Sequence, residues 1–170
     1  MLIGGNFSAE FTGTKSKSGS TTTTLYHTNS ITLGPQVGYF IINNVAAGAV
    51  LDIQSSSTKY EGSSDKISGT SVLFSPFGRY YLQQGIFFQG RFDVGSRKIK
   101  QETGSTTTTT TYGLSGGSIS AGYALFLADN VALEPQIGYG TIAQKLKSNG
   151  VKSIESGLFI RVGFQIYLKK

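Results

Sequence analysis

The sequence predicts an all-β fold: an eight-stranded antiparallel up-and-down transmembrane β-barrel occupying residues 1–170 as a single domain. Three observations predict it. Apolar and polar residues alternate with period two through most of the chain, while helical periodicity is almost absent. Very short connections alternate with long polar ones, the anatomy of an up-and-down barrel. The polar strand faces hold Gly, Ser, Gln, arginine and carboxylates but no lysine.

The alternation defines eight segments, at about 2–14, 25–41, 45–56, 68–82, 86–98, 111–127, 131–146 and 153–168. The first puts Glu10 on its polar face. In the second, Ile31, Leu33, Pro35, Val37 and Tyr39 share one face, opposite Thr32, Gly34, Gln36, Gly38 and Phe40. The turn INNV (42–45) leads into the third, with Asp52 on the polar side. The fourth carries Arg79 inward and Tyr80 outward, and ends at QQG (83–85). In the fifth, Ile86, Phe88, Gly90, Phe92 and Val94 oppose Phe87, Gln89, Arg91 and Asp93. The sixth reaches Tyr123 before the turn ADNV (128–131). In the seventh, Val131, Leu133, Pro135, Ile137 and Tyr139 oppose Ala132, Glu134, Gln136 and Gly138. The eighth sets six aliphatic or aromatic residues from Leu158 to Leu168, Phe164 among them, against Phe159, Arg161, Gly163, Gln165 and Tyr167. The short turns hold Asn, Asp or Gly, which tolerate tight-hairpin backbone angles. The other connections, 15–24, 57–67, 99–110 and 147–152, are expected to be long polar loops at the opposite end.

The polar face decides which side is inside. A sheet bathed in water carries lysine and glutamate freely on its outer face. Here Glu10, Asp52, Asp93 and Glu134 are matched instead by Arg79, Arg91 and Arg161, the fork-to-carboxylate pairing that suits a confined polar interior. The apolar face runs for about nine to eleven residues per strand, enough for a tilted strand to cross a bilayer. The expectation is an apolar face toward lipid and a polar lumen. Tyr39, Tyr80, Phe88, Phe92, Tyr123, Tyr139 and Phe164 are then lipid-facing aromatics, several of them in interfacial girdles. Phe87, Tyr81, Phe159 and Tyr167 share the lumen parity and help fill an eight-stranded interior.

The segments SITLGPQVGYFIINNVAAGAVLDI, SVLFSPFGRYYLQQGIFFQGRFDVG and SISAGYALFLADNVALEPQIGYG resemble the outer-membrane β-barrel family. The likeness is to its small eight-stranded barrels of the OmpA/OmpX type, in the version common in Bacteroidetes. It spans essentially the whole chain, carried by the PxxGYF–NN–VA–G hairpin and by RYY closing the fourth segment. The resemblance implies a bacterial outer-membrane location, periplasmic short turns and extracellular long loops, with the secretion signal removed from this sequence. The ending YLKK departs from the aromatic terminus common among such barrels.

Composition excludes several chemistries. With no cysteine there is no disulfide framework, thiol catalysis or Cys-ligated metal. One histidine, His27, beside many serines but no acidic neighbour, is a weak basis for a Ser–His hydrolase, and scattered carboxylates lack metal-ligand spacing. The expectation is no enzyme activity, no metal and no cofactor. Basic and aromatic residues are segregated, which argues against nucleic acid. The net charge of +6 is accounted for by the expected loop regions, where Lys15, Lys17, Lys59, Lys66, Arg97, Lys98, Lys100, Lys145, Lys147 and Lys152 stand against four carboxylates. A basic loop surface suits the phosphates and acidic sugars of lipopolysaccharide. Threonine runs at 21–24 and 106–111 have strand propensity, so two hairpins are expected to protrude and offer edges to an extracellular partner. A monomer is expected. Two alternatives stand beside this reading: a narrow porin-like channel, and a soluble lipocalin-like barrel that binds a ligand. Finally, Pro35, Pro76 and Pro135 are the chain's only prolines and share the outward parity. They are expected at β-bulges, where a ladder bond is already missing.

Overall fold

The computed structural model describes residues 1–18, 21–60, 65–148 and 150–168, with side chains between 10 and 26 not described. The strands are β1 (Leu2–Ser18), β2 (Thr21–Ile42), β3 (Val45–Tyr60), β4 (Lys66–Tyr81), β5 (Ile86–Thr103), β6 (Thr106–Tyr123), β7 (Leu125–Ala128), β8 (Val131–Leu146) and β9 (Lys152–Tyr167). Sequential neighbours pair antiparallel, β6 pairs with β8, and β1 pairs with β9, closing the sheet on itself. β7 takes over from β6 against β8 beyond Ala124, so the two are one broken strand and the ring has eight members. Closure pairs backbone groups that a lipid environment leaves no other way to satisfy.

All eight segments read from the sequence form strands, joined at one end by turns at 43–44, 83–85 and 129–130. The middle turn needs positive φ at Gln84 (75°) and Gly85 (86°). At the other end the structure corrects the expectation of long loops. Threonine-rich and polar segments continue the ladders, for example Thr106 to Thr111 against Thr103 to Lys98, and the connection there narrows to Gly104–Ser105 with Gly104 at φ 57°. β-branched residues fit a pleated surface well and cross-strand pairing holds them in it, so polarity did not make them loops. Consequently Lys59, Lys66, Arg97, Lys98, Lys100, Lys145 and Lys152 sit on strands, and only Lys147 of the described set lies in a turn. Lys15 and Lys17 also fall on β1, with side chains outside the described residues, as are Lys169 and Lys170.

The two faces separate as alternation requires. In β5, Phe87, Gln89 and Asp93 are buried while Ile86, Phe88, Phe92 and Val94 are exposed. Exposed large apolar residues ring the outside: Phe7, Ile119, Leu158 and Ile160 are 65, 71, 78 and 81 % exposed. Few soluble proteins tolerate so continuous an apolar exterior.

The prolines point outward and exposed, but the expected bulges are absent at all three. Gly34–Pro35 on β2, Ser75–Pro76 on β4 and Glu134–Pro135 on β8 are each skipped in one ladder, and pairing resumes beyond them in unchanged register. Each proline stays paired on its other side, with Gly5, Ala49 and Val162. The missing N–H alone breaks the bond, so no extra residue is needed. At Pro135 the gap divides β6 from β7, and the Ala124 N–H donates instead to the Gly85 carbonyl at 2.8 Å.

Candidate functional site: the lumen and the outer rim

The three proline gaps coincide with three inward carboxylates. Extending the ladders across the gaps puts Asp52 opposite Gly34, Asp93 opposite Ser75, and Glu134, just before Pro135, opposite Ala124. Small residues face each acid. A Cβ on Gly34 would stand 2.5 Å from Asp52 Oδ1, so the glycine makes room for the carboxylate.

Near the short turns, Arg79 reaches from β4 to Glu134 on β8, Nη1 to Oε2, at 2.7 Å, with both side chains essentially fully buried. Its Nη1 also donates to the Tyr81 hydroxyl (2.9 Å) and its Nε to Gln89 Oε1 (2.8 Å). The Tyr167 hydroxyl donates to the other oxygen of Glu134 and lies 2.9 Å from that of Tyr81. Aromatic rings enclose this group. The Arg79 guanidinium sits 4.1 Å from the Phe87 ring centre, and Phe40 packs on Tyr81 and Tyr167 at 5.4 and 6.3 Å. Leu2, Ala46, Val50 and Phe77 form the buried apolar cluster beside them. Glycine again provides the space: a Cβ on Gly122 would lie 2.3 Å from the Phe87 ring.

Further from the short turns, Arg91 lies between two acids, Nη1 2.8 Å from Asp52 and Nε 2.7 Å from Asp93, close enough for ion pairing but not aligned as hydrogen bonds. Arg161 stacks its guanidinium 5.0 Å from the Phe159 ring centre. Glu10 belongs to the same expected set, but its side chain lies outside the described residues. Above this level the interior is lined by small polar contacts: Gln54 bridges Ser30 and Ser71, and Thr28 meets Thr58. Near the rim, Gln144 donates to Glu155.

The expected lumen residues therefore fall into two groups at different heights. Alternation shows which residues turn inward. It does not give the cross-lumen partner, which depends on register, so the tyrosine and glutamine members of the Arg79 group carry no signal of partnership in the sequence. Outside, Tyr39, Tyr80, Phe88, Phe92, Tyr123, Tyr139 and Phe164 are all between 44 and 58 % exposed. On the strand extensions Lys59 pairs with Lys66, Lys66 with Glu102, and Lys145 with Lys152. Lys100 donates to Glu102 at 2.7 Å and holds that carboxyl below the ordinary range.

Residues 48–170 match the family model described as outer membrane protein beta-barrel domain. The chain belongs to this family. It is an outer-membrane barrel, and membership removes the soluble ligand-binding alternative. Among solved structures it is similar to Neisserial surface protein A, at 16 % identity and a TM-score of 0.51, covering 98 % of this chain and 96 % of that one. It also resembles the translocator domain of the autotransporter NalP from Neisseria meningitidis (12 % identity, TM-score 0.49, covering 98 % and 88 %) and the outer membrane protease OmpT from Escherichia coli (13 %, 0.44, covering 85 % and 68 %). These identities speak to fold alone. No curated protein matches the chain.

Proposed function

We propose that this barrel is a non-enzymatic, monomeric outer-membrane protein whose basic strand extensions contact lipopolysaccharide at the cell surface, and whose lower lumen is plugged by side chains. The observation that carries the first part is the parity of the lysines. Lys98 and Lys100 share the outward face of β5 with Phe88, Phe92 and Val94, and stand a few residues further from the short turns. Lys59, Lys66, Lys145 and Lys152 have the same outward parity on β3, β4, β8 and β9. At ~3.4 Å per residue, Lys98 stands roughly 13 Å along the strand from Val94. That is the level at which phosphates of the outer leaflet would meet it.

The plug reading is supported by the Arg79–Glu134 pair, which crosses the interior and is enclosed by Phe40, Tyr81, Phe87 and Tyr167. The non-enzymatic reading is supported by the composition, which has no cysteine and a single histidine, His27, without an acidic neighbour in sequence.

The test uses the full chain in nanodiscs containing lipid A. Replacing Lys98, Lys100, Lys145 and Lys152 by glutamate should abolish lipid A retention, and binding to the unaltered barrel should weaken steeply with salt. Retention unchanged by the charge reversal would overturn the reading. Steady ion conductance from the unaltered barrel in planar bilayers would overturn the plug.

A further inference from the structure

The wall of this barrel is not closed along its whole height. Among the described residues, β1 and β9 pair only through Leu2–Asn6 and Gly163–Tyr167. Beyond Asn6, β1 runs on to Ser18 paired with β2 alone, and β9 from Lys152 to Val162 is paired with β8 alone. Every other residue of an edge strand turns its N–H and C=O away from its one partner. Two rows of backbone donors and acceptors therefore face each other across a fork that opens away from the short turns.

Side-chain exposure changes where the ladder ends. On the outward face of β9, Phe164 and Val162 are 48 and 50 % exposed, whereas Ile160 and Leu158 are 81 and 78 % exposed. Both of the latter have a large neighbour on β8, Ile137 and Tyr139, so the missing cover is on the β1 side. Phe7, the first outward residue of β1 past the fork, is 65 % exposed. Between the edges lies a space of about 520 Å³ that reaches Phe7 and Ser8 on one side and Ile160 and Arg161 on the other. Phe7 and Ile160 point outward, Ser8 and Arg161 inward, so the space runs through the thickness of the wall.

The free edges select a polypeptide. An unpaired edge at bilayer depth is costly, and acyl chains cannot supply the alternating donors and acceptors that satisfy it; another strand can. The two sides of the fork set the side chains such a strand must carry. Its outward positions lie beside Phe7, Leu158 and Ile160 and call for apolar groups. Its inward positions lie beside Ser8, Arg161, Thr32 and Gln54 and call for polar ones. Alternation with period two is what an extended segment provides and a helix does not. The fork is open at its end far from the short turns, which is where the strand enters.

We propose that the fork between β1 and β9 is a docking site for one extended polypeptide segment of a partner. The segment has alternating apolar and polar side chains and adds antiparallel to the free edge of β9 as an extra strand of the wall. Antiparallel pairing is slightly the more stable per residue, and it is the sense in which β1 meets β9 lower down. The contact is made by backbone groups and does not depend on the lysine extensions.

The test uses the full chain, which has no cysteine of its own, in phosphatidylcholine nanodiscs. The probe is a synthetic peptide with the sequence of residues 6–14, carrying Ala9→Cys. This stretch would continue the β1–β9 register, in which residue 9 meets Ile160. Under oxidation the peptide should label an Ile160→Cys barrel at least about fivefold more than an Ile119→Cys barrel, the factor for one net hydrogen bond. Ile119 is 71 % exposed but stands on a strand paired on both sides. Adding Ser8→Pro and Phe11→Pro to the peptide removes one N–H from each edge of the added strand and should abolish the preference. Heat-modifiable migration checks that both barrels fold. Equal labelling of the two positions, or a preference that survives the prolines, overturns the docking site. The fork itself is tested without peptide, by oxidation of cysteine pairs within the chain. Ala9→Cys with Ile31→Cys, partners in the β1–β2 ladder, should form a disulfide readily. Ala9→Cys with Ile160→Cys should not. Equal cross-linking overturns the proposal, because the wall is then closed.

Discussion

Replacing Glu134 by glutamine removes the carboxylate that holds Arg79 while barely changing shape. Both side chains are essentially without solvent contact, so the guanidinium cannot turn to water. Glu134 also accepts from Tyr167, and Tyr81 and Gln89 accept from Arg79, so one charge supports a network spanning four strands, β4, β5, β8 and β9. Removing one partner of a buried ion pair costs ~3–5 kcal/mol, because the remaining charge is left uncompensated. Two charge-assisted hydrogen bonds at ~1.5–3 kcal/mol each lead to the same range. With a urea slope of ~2 kcal/mol per molar, the unfolding midpoint should fall by roughly 1.5–2.5 M. The assay is equilibrium unfolding of the barrel from phospholipid vesicles, followed by heat-modifiable migration and tyrosine fluorescence. Arg79→Met combined with Glu134→Met should cost less than the sum of the two single changes, by at least ~1.5 kcal/mol. A midpoint shift below roughly 0.3 M for Glu134→Gln, or an additive double-mutant cycle, would refute this account of the lower lumen.

Four other outcomes are expected. Ile137→Arg, at a residue 55 % exposed on the outward face, should cost ~2–4 kcal/mol in a bilayer, whereas Thr107→Arg on the extension should change stability by less than ~0.5 kcal/mol; similar costs would mean that the apolar band is misplaced. Gly122→Ala places a methyl 2.3 Å from the Phe87 ring and should cost ~1–3 kcal/mol, largely recovered by Phe87→Leu in the same chain. Pro76→Val restores a donor at a broken ladder position and should raise stability by ~1 kcal/mol; a loss would show that the gap itself is required. Lys100→Met should let the Glu102 carboxyl titrate at higher pH, read by NMR, because the neighbouring ammonium is what holds it low; an unmoved titration would exclude that pairing in solution.

Period-two alternation made the faces legible: once a strand's direction inward or outward is fixed at one residue, it is fixed along the strand. Phe87 beside Phe88 is the clearest case, two neighbouring phenylalanines with one buried and the other half exposed. Register was not legible. Nothing near Arg91 in sequence says that it will lie between Asp93 on its own strand and Asp52 on another, or that β1 and β9 will part after Asn6. Strand ends carried two conflicting signals: the polar composition of 57–67 and 99–110 looked like loops, whereas the strand propensity of the threonine runs at 21–24 and 106–111 predicted protruding hairpins, and the ladders follow the second signal. The prolines were misread as bulges because a missing donor and an extra residue both interrupt pairing, and only the partner numbering tells them apart.

The proline gaps fall in a regular order around the ring. They interrupt β2 against β3, β4 against β5, and β6–β7 against β8, each a pair joined by a short turn. The four pairs joined at the other end, β1–β2, β3–β4, β5–β6 and β8–β9, have no such gap. The remaining contact, β9 against β1, is held by five residue pairs and no covalent turn. Mechanically the barrel is four stiff staves meeting at four compliant joints. Its cross-section should deform by opening at those joints while each stave keeps its shape, and amide exchange should be fastest along the same four lines.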